Sequence, residues 1–203
     1  MNRIGIYCGS FDPVHKGHIA IARACVEQDL VDEVWIIATG AYWDKNDLTP
    51  FSERIAMLKM AAKEGIVIDE TYNELPYTYQ IFEQLENDHP DKRFSLILGG
   101  DNLPRFDQWR NYEYLLNFDF IILPRGEIDE KEVKEIMKKF NKENYAILKL
   151  EPIAISSTFI REHLHDYEAI KDMIDKKVYD HLIGMERKKE YATRDHKSAS
   201  SAG

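Results

Sequence analysis

Gly9-Ser10-Phe11-Asp12-Pro13-Val14-His15-Lys16-Gly17-His18 follows directly on the short apolar run Ile4-Gly5-Ile6-Tyr7-Cys8. The run reads as a strand, and His18 to Leu30 carries apolar residues at Ile19, Ile21, Ala22 and Val26, spaced for one helix face. The unit is a strand–loop–helix whose loop can meet phosphates with backbone N–H groups, a helix N-terminus and two imidazoles at once. Gly9 lets the chain approach a phosphate, Ser10 offers a hydroxyl, Pro13 stiffens the turn, and His15 and His18 can donate hydrogen bonds to phosphate oxygens. A lone histidine is more often a solvent-facing or capping residue. The joint pattern is far more restrictive and points to chemistry on a nucleoside triphosphate.

The bulk properties narrow the class. The chain has 203 residues, 44% of them hydrophobic, enough for one domain with a continuous core. With 27 Lys+Arg against 36 Asp+Glu the formal net charge is −9, which argues against nucleic-acid and anionic-membrane partners. A small phosphorylated substrate needs only a local cluster of positive groups. No apolar stretch approaches the ~20 residues of a membrane span, and the N-terminal residues lack a signal-peptide pattern. Cys8 and Cys25 have no metal-ligand spacing and read as reduced, buried thiols of a cytoplasmic protein.

Outward from the first loop, strands and helices alternate. Expected strands are Ile4–Cys8, Glu33–Ala38, Ile66–Ile68, Phe94–Leu98, Phe118–Leu123 and Tyr145–Leu150. Expected helices are His18–Leu30, Phe51–Lys63 with Ser52 as an early cap, Tyr77–Asn87, Tyr112–Leu116, Glu130–Phe140, Ser157–Leu164 and Asp175–Leu182. The charge run in Glu130–Phe140 reads as a solvated face. This alternation predicts an α/β fold with a doubly wound parallel sheet. The expected domain covers residues 1–185, with a small helical portion from about 157. Residues 186–203, polar and without apolar periodicity, are expected as a disordered tail.

A second constellation, Ile155-Ser156-Ser157-Thr158-Phe159-Ile160-Arg161, follows the last strand and opens a helix. Ser and Thr at a helix start can simply cap it. Paired with the first motif, hydroxyls and an arginine at a helix N-terminus make a second phosphate cradle.

His15-Lys16-Gly17-His18 together with Ser156 to Arg161 resembles the HIGH-motif nucleotidyltransferases, and most closely the bacterial nicotinate (nicotinamide) mononucleotide adenylyltransferases. Gly99-Gly100-Asp101-Asn102, Phe106-Asp107-Gln108-Trp109, Phe120 to Arg125 and Tyr77-Thr78-Tyr79 resemble further segments of that family. The resemblance runs from about Ile4 to about Leu182 and implies a Rossmann-like fold. Ser10 stands where the family usually has Thr, which keeps the hydroxyl. Ala41-Tyr42-Trp43-Asp44-Lys45 replaces a Pro-His-Lys segment, keeping the cation but exchanging a histidine for Asp44.

The resemblance implies transfer of AMP from ATP to the 5′-phosphate of nicotinate or nicotinamide mononucleotide, releasing pyrophosphate. It casts His15, His18 and Arg161 as catalytic, with Gly9, Ser10, Phe11, Lys45, Ser156, Ser157 and Thr158 on ATP. It puts Thr78, Tyr79, Asp101, Trp109 and Arg125 on the mononucleotide, Asp101 at the ribose and Trp109 stacked on the pyridine ring. Arg54 is expected to reach phosphate or to shape the site. Mg2+ is expected as cofactor, held mainly by the ATP phosphates rather than by protein ligands. The bacterial type favours the acid as acceptor. A homo-oligomer is compatible with everything above. The rival readings are phosphopantetheine adenylyltransferase or another adenylyl- or cytidylyltransferase of the superfamily, and a nucleotide-binding module without turnover.

Overall fold

Apolar side chains fill alternate positions on both faces of the central strands, as a sheet covered on both sides demands. The computed structural model describes residues 2–40, 48–151 and 153–200, with 189–200 as backbone alone. Its strands are β1 (Asn2–Gly9), β2 (Glu33–Ala38), β3 (Ile66–Asp69), β4 (Lys92–Gly99), β5 (Asp119–Leu123) and β6 (Tyr145–Ile147). They form one parallel sheet in the order β3-β2-β1-β4-β5-β6. Val34, Ile36, Ile97, Ile121 and Leu123 point to one face. Ile4, Ile6, Trp35, Ile37, Leu96, Leu98, Phe120 and Ile122 point to the other. Fully burying each such side chain is worth about 1.5–3 kcal/mol. Gly5 is required by this packing, because a Cβ there would lie 2.7 Å from the Ile97 Cδ1.

The first face is covered by α1 (Lys16–Glu27), α2 (Phe51–Ala61), α6 (Ser157–Glu162), α7 (Tyr167–Ile170) and α8 (Lys176–Ser200). The second is covered by α3 (Thr78–Asp88), a 3₁₀ segment Gly100–Gln108, α4 (Tyr112–Leu115) and α5 (Glu130–Lys139). The architecture is a doubly wound, Rossmann-like α/β fold. The chain winds from β1 out to β3, then returns to the other side of β1 at β4. The carboxyl ends of β1 and β4 therefore bound the crevice where such sheets take ligands.

Four local differences from the sequence reading have physical causes. β6 stops at Ile147: the Leu148 N–H still donates to the Ile122 carbonyl at 2.8 Å, but the Gln28 side chain takes both backbone groups of Lys149, its Nε2 donating to the carbonyl at 2.6 Å and its Oε1 accepting the N–H at 3.1 Å. The start of α2 is set by Pro50, with no side-chain cap, so Ser52 does not cap it. The 3₁₀ segment forms around Pro104, whose missing N–H disfavours a regular α-helix. The backbone of α8 continues helically to Ser200, beyond Leu182, where the sequence reading ends this helix; its Ala, Lys, Glu and Arg content favours helix. In α5, Val133 and Met137 are buried while Glu130 and Lys134 pair at 2.6 Å on the solvent side. Among the described residues no helix is long and apolar enough to cross a membrane.

Candidate active site

The two histidines of the first loop form a reciprocal helix cap. His15 is the N-cap of α1, and its Nδ1 accepts the His18 N–H at 3.3 Å. The His18 Nδ1 accepts the His15 N–H in return at 3.2 Å. A backbone N–H can only donate, so both Nδ1 atoms are acceptors and each neutral ring carries its proton on Nε2. The rings stack with centroids 3.6 Å apart and planes 17° off parallel. Gly17 lets them do so, because a Cβ there would sit 3.0 Å from the His15 Nδ1 and 2.9 Å from the Ile153 Cγ2. His15 is buried, and burial, aided by the Arg125 charge, pushes its imidazole down to about 4. It is a neutral donor at pH 7.

Phe11 supports this pair from beneath. Its ring is buried and meets His18 edge-on at 4.9 Å and Tyr7 at 5.3 Å. It takes φ 47°, a left-handed conformation that costs a bulky residue energy. The Phe11 ring is thus packed under His18 and buried away from the cleft surface. A Cβ on Gly9 would lie 3.1 Å from that ring, so the glycine makes room for Phe11.

The second motif is tied to the first by direct hydrogen bonds. Ser156 caps α6, its Oγ accepting the Phe159 N–H at 3.1 Å. The Ser157 Oγ donates to the Pro13 carbonyl at 2.9 Å. Arg161 donates to the Asp12 carbonyl through Nη1, and to the Thr158 Oγ1 through Nη2 at 3.1 Å. Arg54, which sequence reasoning left between phosphate contact and a structural role, shapes the site. It is buried and donates to the carbonyls of Ser10 (2.8 Å), Thr39 (2.9 Å) and Thr49 (3.0 Å), while Asp12 accepts the Thr49 N–H at 3.0 Å. Burial lowers the Arg54 pKa, and the nearby Asp12 charge opposes that shift.

Two clefts open at the carboxyl edge of the sheet. The first, about 370 Å3, is lined by Gly9, Ser10, Thr39, Thr78, Asn102 and Trp109, with Cys8, Tyr77 and Arg110 among its other walls. Trp109 is half-buried, its ring 5.2 Å from that of core residue Phe106. Burial pushes the Cys8 thiol up to about 12. The second cleft, about 700 Å3, brings together His15, His18, Asp101, Arg125, Ser156 and Phe159.

Sequence reasoning grouped Asp101 and Arg125 with the mononucleotide residues. The fold instead sets both on the histidine cleft, because β4 and β5 are neighbours and their ends open toward the segment after β6. Thr78 and Trp109 do share a cleft. Tyr79 packs against the second core, stacked on Tyr77 at 6.0 Å. Lys45 and Asp44 lie outside the described residues. Among the described residues no three His, Cys, Asp or Glu side chains gather as a metal cage.

A Rossmann-like sheet whose first loop and a later helix start jointly frame one cleft, with a second cleft beside it, defines a nucleotidyltransferase. The cytidylyltransferase-like family model matches residues 6–163. A Flavobacterium johnsoniae protein, "Probable nicotinate-nucleotide adenylyltransferase", is 32% identical over 188 residues, covering 89% of this chain and 95% of that protein. A Clostridium acetobutylicum protein of the same name is 31% identical, covering 89% and 96%. The solved structure "Plasmodium falciparum nicotinic acid mononucleotide adenylyltransferase complexed with NaAD" superimposes with a TM-score of 0.78 at 27% identity, covering 91% of this chain and 96% of that one. A second structure of that enzyme, complexed with APC, gives 0.77. The chain belongs to the cytidylyltransferase-like family and, within it, to the nicotinate-nucleotide adenylyltransferases.

Proposed function

We propose that this enzyme transfers the AMP unit of ATP to nicotinate mononucleotide, forming the dinucleotide and pyrophosphate in NAD biosynthesis. The observation that carries the reading is the joint between the two motifs: Ser157 and Arg161 of α6 are bonded to the loop that holds His15 and His18. An oxygen of the mononucleotide 5′-phosphate attacks the α-phosphorus in line. The new P–O bond forms as the bond to the β-phosphate bridging oxygen breaks, and pyrophosphate departs with the electron pair. No protein nucleophile is needed, so the protein positions the reactants and stabilises charge.

In this reading His15 and His18 donate through Nε2–H to the triphosphate, His18 nearest the α-phosphate. A neutral His15 suits that task, because it donates without titrating near pH 7. Ser156, Thr158, Arg161 and the Ser157 backbone N–H hold the phosphates from the histidine cleft, Gly9 and Ser10 reach them from the first cleft, and Lys45 closes over them. Asp101 and Arg125, placed on the histidine cleft, serve the ATP side. Thr78 and Trp109 form the pyridine pocket, where an indole under a cationic ring gains ~0.5–2 kcal/mol. Mg2+ would be carried in by phosphate oxygens and water; the buried Asp12 accepts the Thr49 N–H through Oδ2, and its Oδ1 has no hydrogen-bond partner among the described residues. Bound there, the ion neutralises charge on the departing pyrophosphate. The composition supports a cytoplasmic enzyme, and a homo-oligomer is compatible with the fold.

One assay tests the reading. The protein is incubated with ATP, Mg2+ and, separately, nicotinate mononucleotide, nicotinamide mononucleotide or phosphopantetheine, and pyrophosphate is measured. Release is expected with the pyridine mononucleotides, fastest with the acid. Release with phosphopantetheine alone would move the enzyme elsewhere in the superfamily, and no release with any acceptor would favour a binding module.

A further inference from the structure

Phe159 is one of three large apolar side chains exposed among the described residues, at 37%. The others are Val67 on the edge strand β3 and Tyr77 at the first cleft. Helical spacing sets Ser156, Phe159 and His163 along one side of α6. The His163 ring stacks on the Phe159 ring, with centroids 4.0 Å apart and planes 20° off parallel. His163 is held there by its Nδ1–H, which donates to the Phe159 carbonyl at 2.9 Å. One face of the phenyl ring is thus backed, while the residue lines the histidine cleft. Apart from the two histidines, Phe159 is the one aromatic side chain on that wall; the remaining apolar lining comes from residues such as Leu123, Ile128, Ile153 and Ile155. A ring left in water at a binding cleft gains cover from whatever fills it.

We propose that the Phe159–His163 stack is the wall on which the purine base of the nucleotide lies, and that it sets the preference for ATP over pyrimidine triphosphates. The proposal rests on the reading of the histidine cleft as the ATP side. With the phosphates held by His15, His18 and Arg125, the base occupies the rest of the roughly 700 Å3 cleft. Stacking scales with ring overlap, so a bicyclic purine gains more from this wall than a pyrimidine does. Phe159 contacts the base, and His163 is the positioning residue behind it.

The test compares the wild type with Phe159→Ala and Phe159→Leu. Kd values for ATP and CTP are measured by calorimetry, and initial rates are measured at saturating mononucleotide. In Phe159→Ala the Kd and KM for ATP are expected to rise roughly ten-fold, with kcat and the mononucleotide KM within about two-fold. The Kd for CTP should rise less, so the ATP preference falls. Phe159→Leu, which restores apolar cover without a π face, should behave nearer to Ala than to Phe. Unchanged ATP affinity, or equal losses for ATP and CTP, would overturn the stacking wall. A wild type that binds ATP but releases no pyrophosphate would defeat the transferase reading alone, and the two Kd values would still decide the wall.

Discussion

The two clefts are built by different means. The histidine cleft is framed by polar groups whose orientation the backbone dictates: a reciprocal cap fixes both imidazoles, and Ser157 and Arg161 bolt α6 to the loop. The tryptophan cleft is framed by surfaces: the Trp109 ring on Phe106, the start of α3 where Tyr77 supplies no side-chain cap, and the floor at Ser10 and Thr39. The first arrangement suits a reaction in which donors must meet charge that develops on phosphorus oxygens. The second suits selection of a flat ring, where area and local charge decide affinity. On the proposed reading, one cleft does chemistry common to many acceptors and the other chooses among them.

The sharpest way to break this division is His18→Ala. If the histidine cleft carries the chemistry, kcat should fall by roughly a thousand-fold, with both KM values little changed and the circular dichroism spectrum intact. A well-folded variant with near-normal pyrophosphate release would sink the assignment. Arg54→Met probes what joins the clefts, since Arg54 serves the carbonyls of Ser10, Thr39 and Thr49 while Asp12 lies beside it. Losing it leaves three buried carbonyls without their donor and removes a positive charge near the buried Asp12, at a cost of about 3 kcal/mol or more in urea unfolding. A loss below about 1 kcal/mol would mean that the two loops hold themselves.

How much of this was legible in sequence differs between the clefts for the same reason. The motifs Gly9–His18 and Ser156–Arg161 are contiguous, and residue type and spacing alone expose them. The sheet order is carried by no local signal, so the sequence alone does not show that Asp101 and Arg125 line the cleft of His15 and His18: which side of β1 receives β4 depends on the whole winding. Phe11 reads as part of a phosphate loop, yet its ring is buried under His18, which only the positive φ and the packing against Tyr7 reveal. Arg54 lies in an ordinary amphipathic helix, and its three carbonyl partners are spread from Ser10 to Thr49. Phe159 stands inside a recognised motif, but its exposure and its stack on His163 are tertiary facts. Its one sequence signal is an aromatic residue in the first turn of a helix read as a phosphate cradle.

The burial that makes His15 a neutral donor also makes the histidine cleft sensitive to acid. Folded, its imidazole titrates at about 4 instead of 6.5. Above pH 6.5 both folded and unfolded chains hold it neutral, and its contribution is complete. Between 6.5 and 4 the unfolded chain takes up the proton first, so stability falls as pH falls, by about 3 kcal/mol across the window. His15→Gln should flatten that limb relative to wild type, read from urea midpoints at pH 7 and pH 4.5. Parallel limbs in the two proteins would place the acid sensitivity in other groups.

Trp109→Ala gives the smallest expected effect and the cleanest separation of the clefts. Trp109 is anchored by Phe106 on one side and lines the first cleft on the other, so truncation removes a wall of that cleft and leaves His15, His18 and Ser156 of the second in place. Losing a stack under a cationic ring costs about 1–2 kcal/mol, which raises the mononucleotide KM roughly five- to thirty-fold. The KM for ATP should move by less than about two-fold, because Trp109 lines the first cleft while His15, His18 and Ser156 line the second. Trp109→Phe keeps an aromatic face of smaller area and should fall between the two. Equal shifts in both KM values would mean that the clefts are one continuous site whose walls cannot be assigned separately. A shift confined to the mononucleotide, graded by ring size, is what an aromatic platform for the pyridine requires.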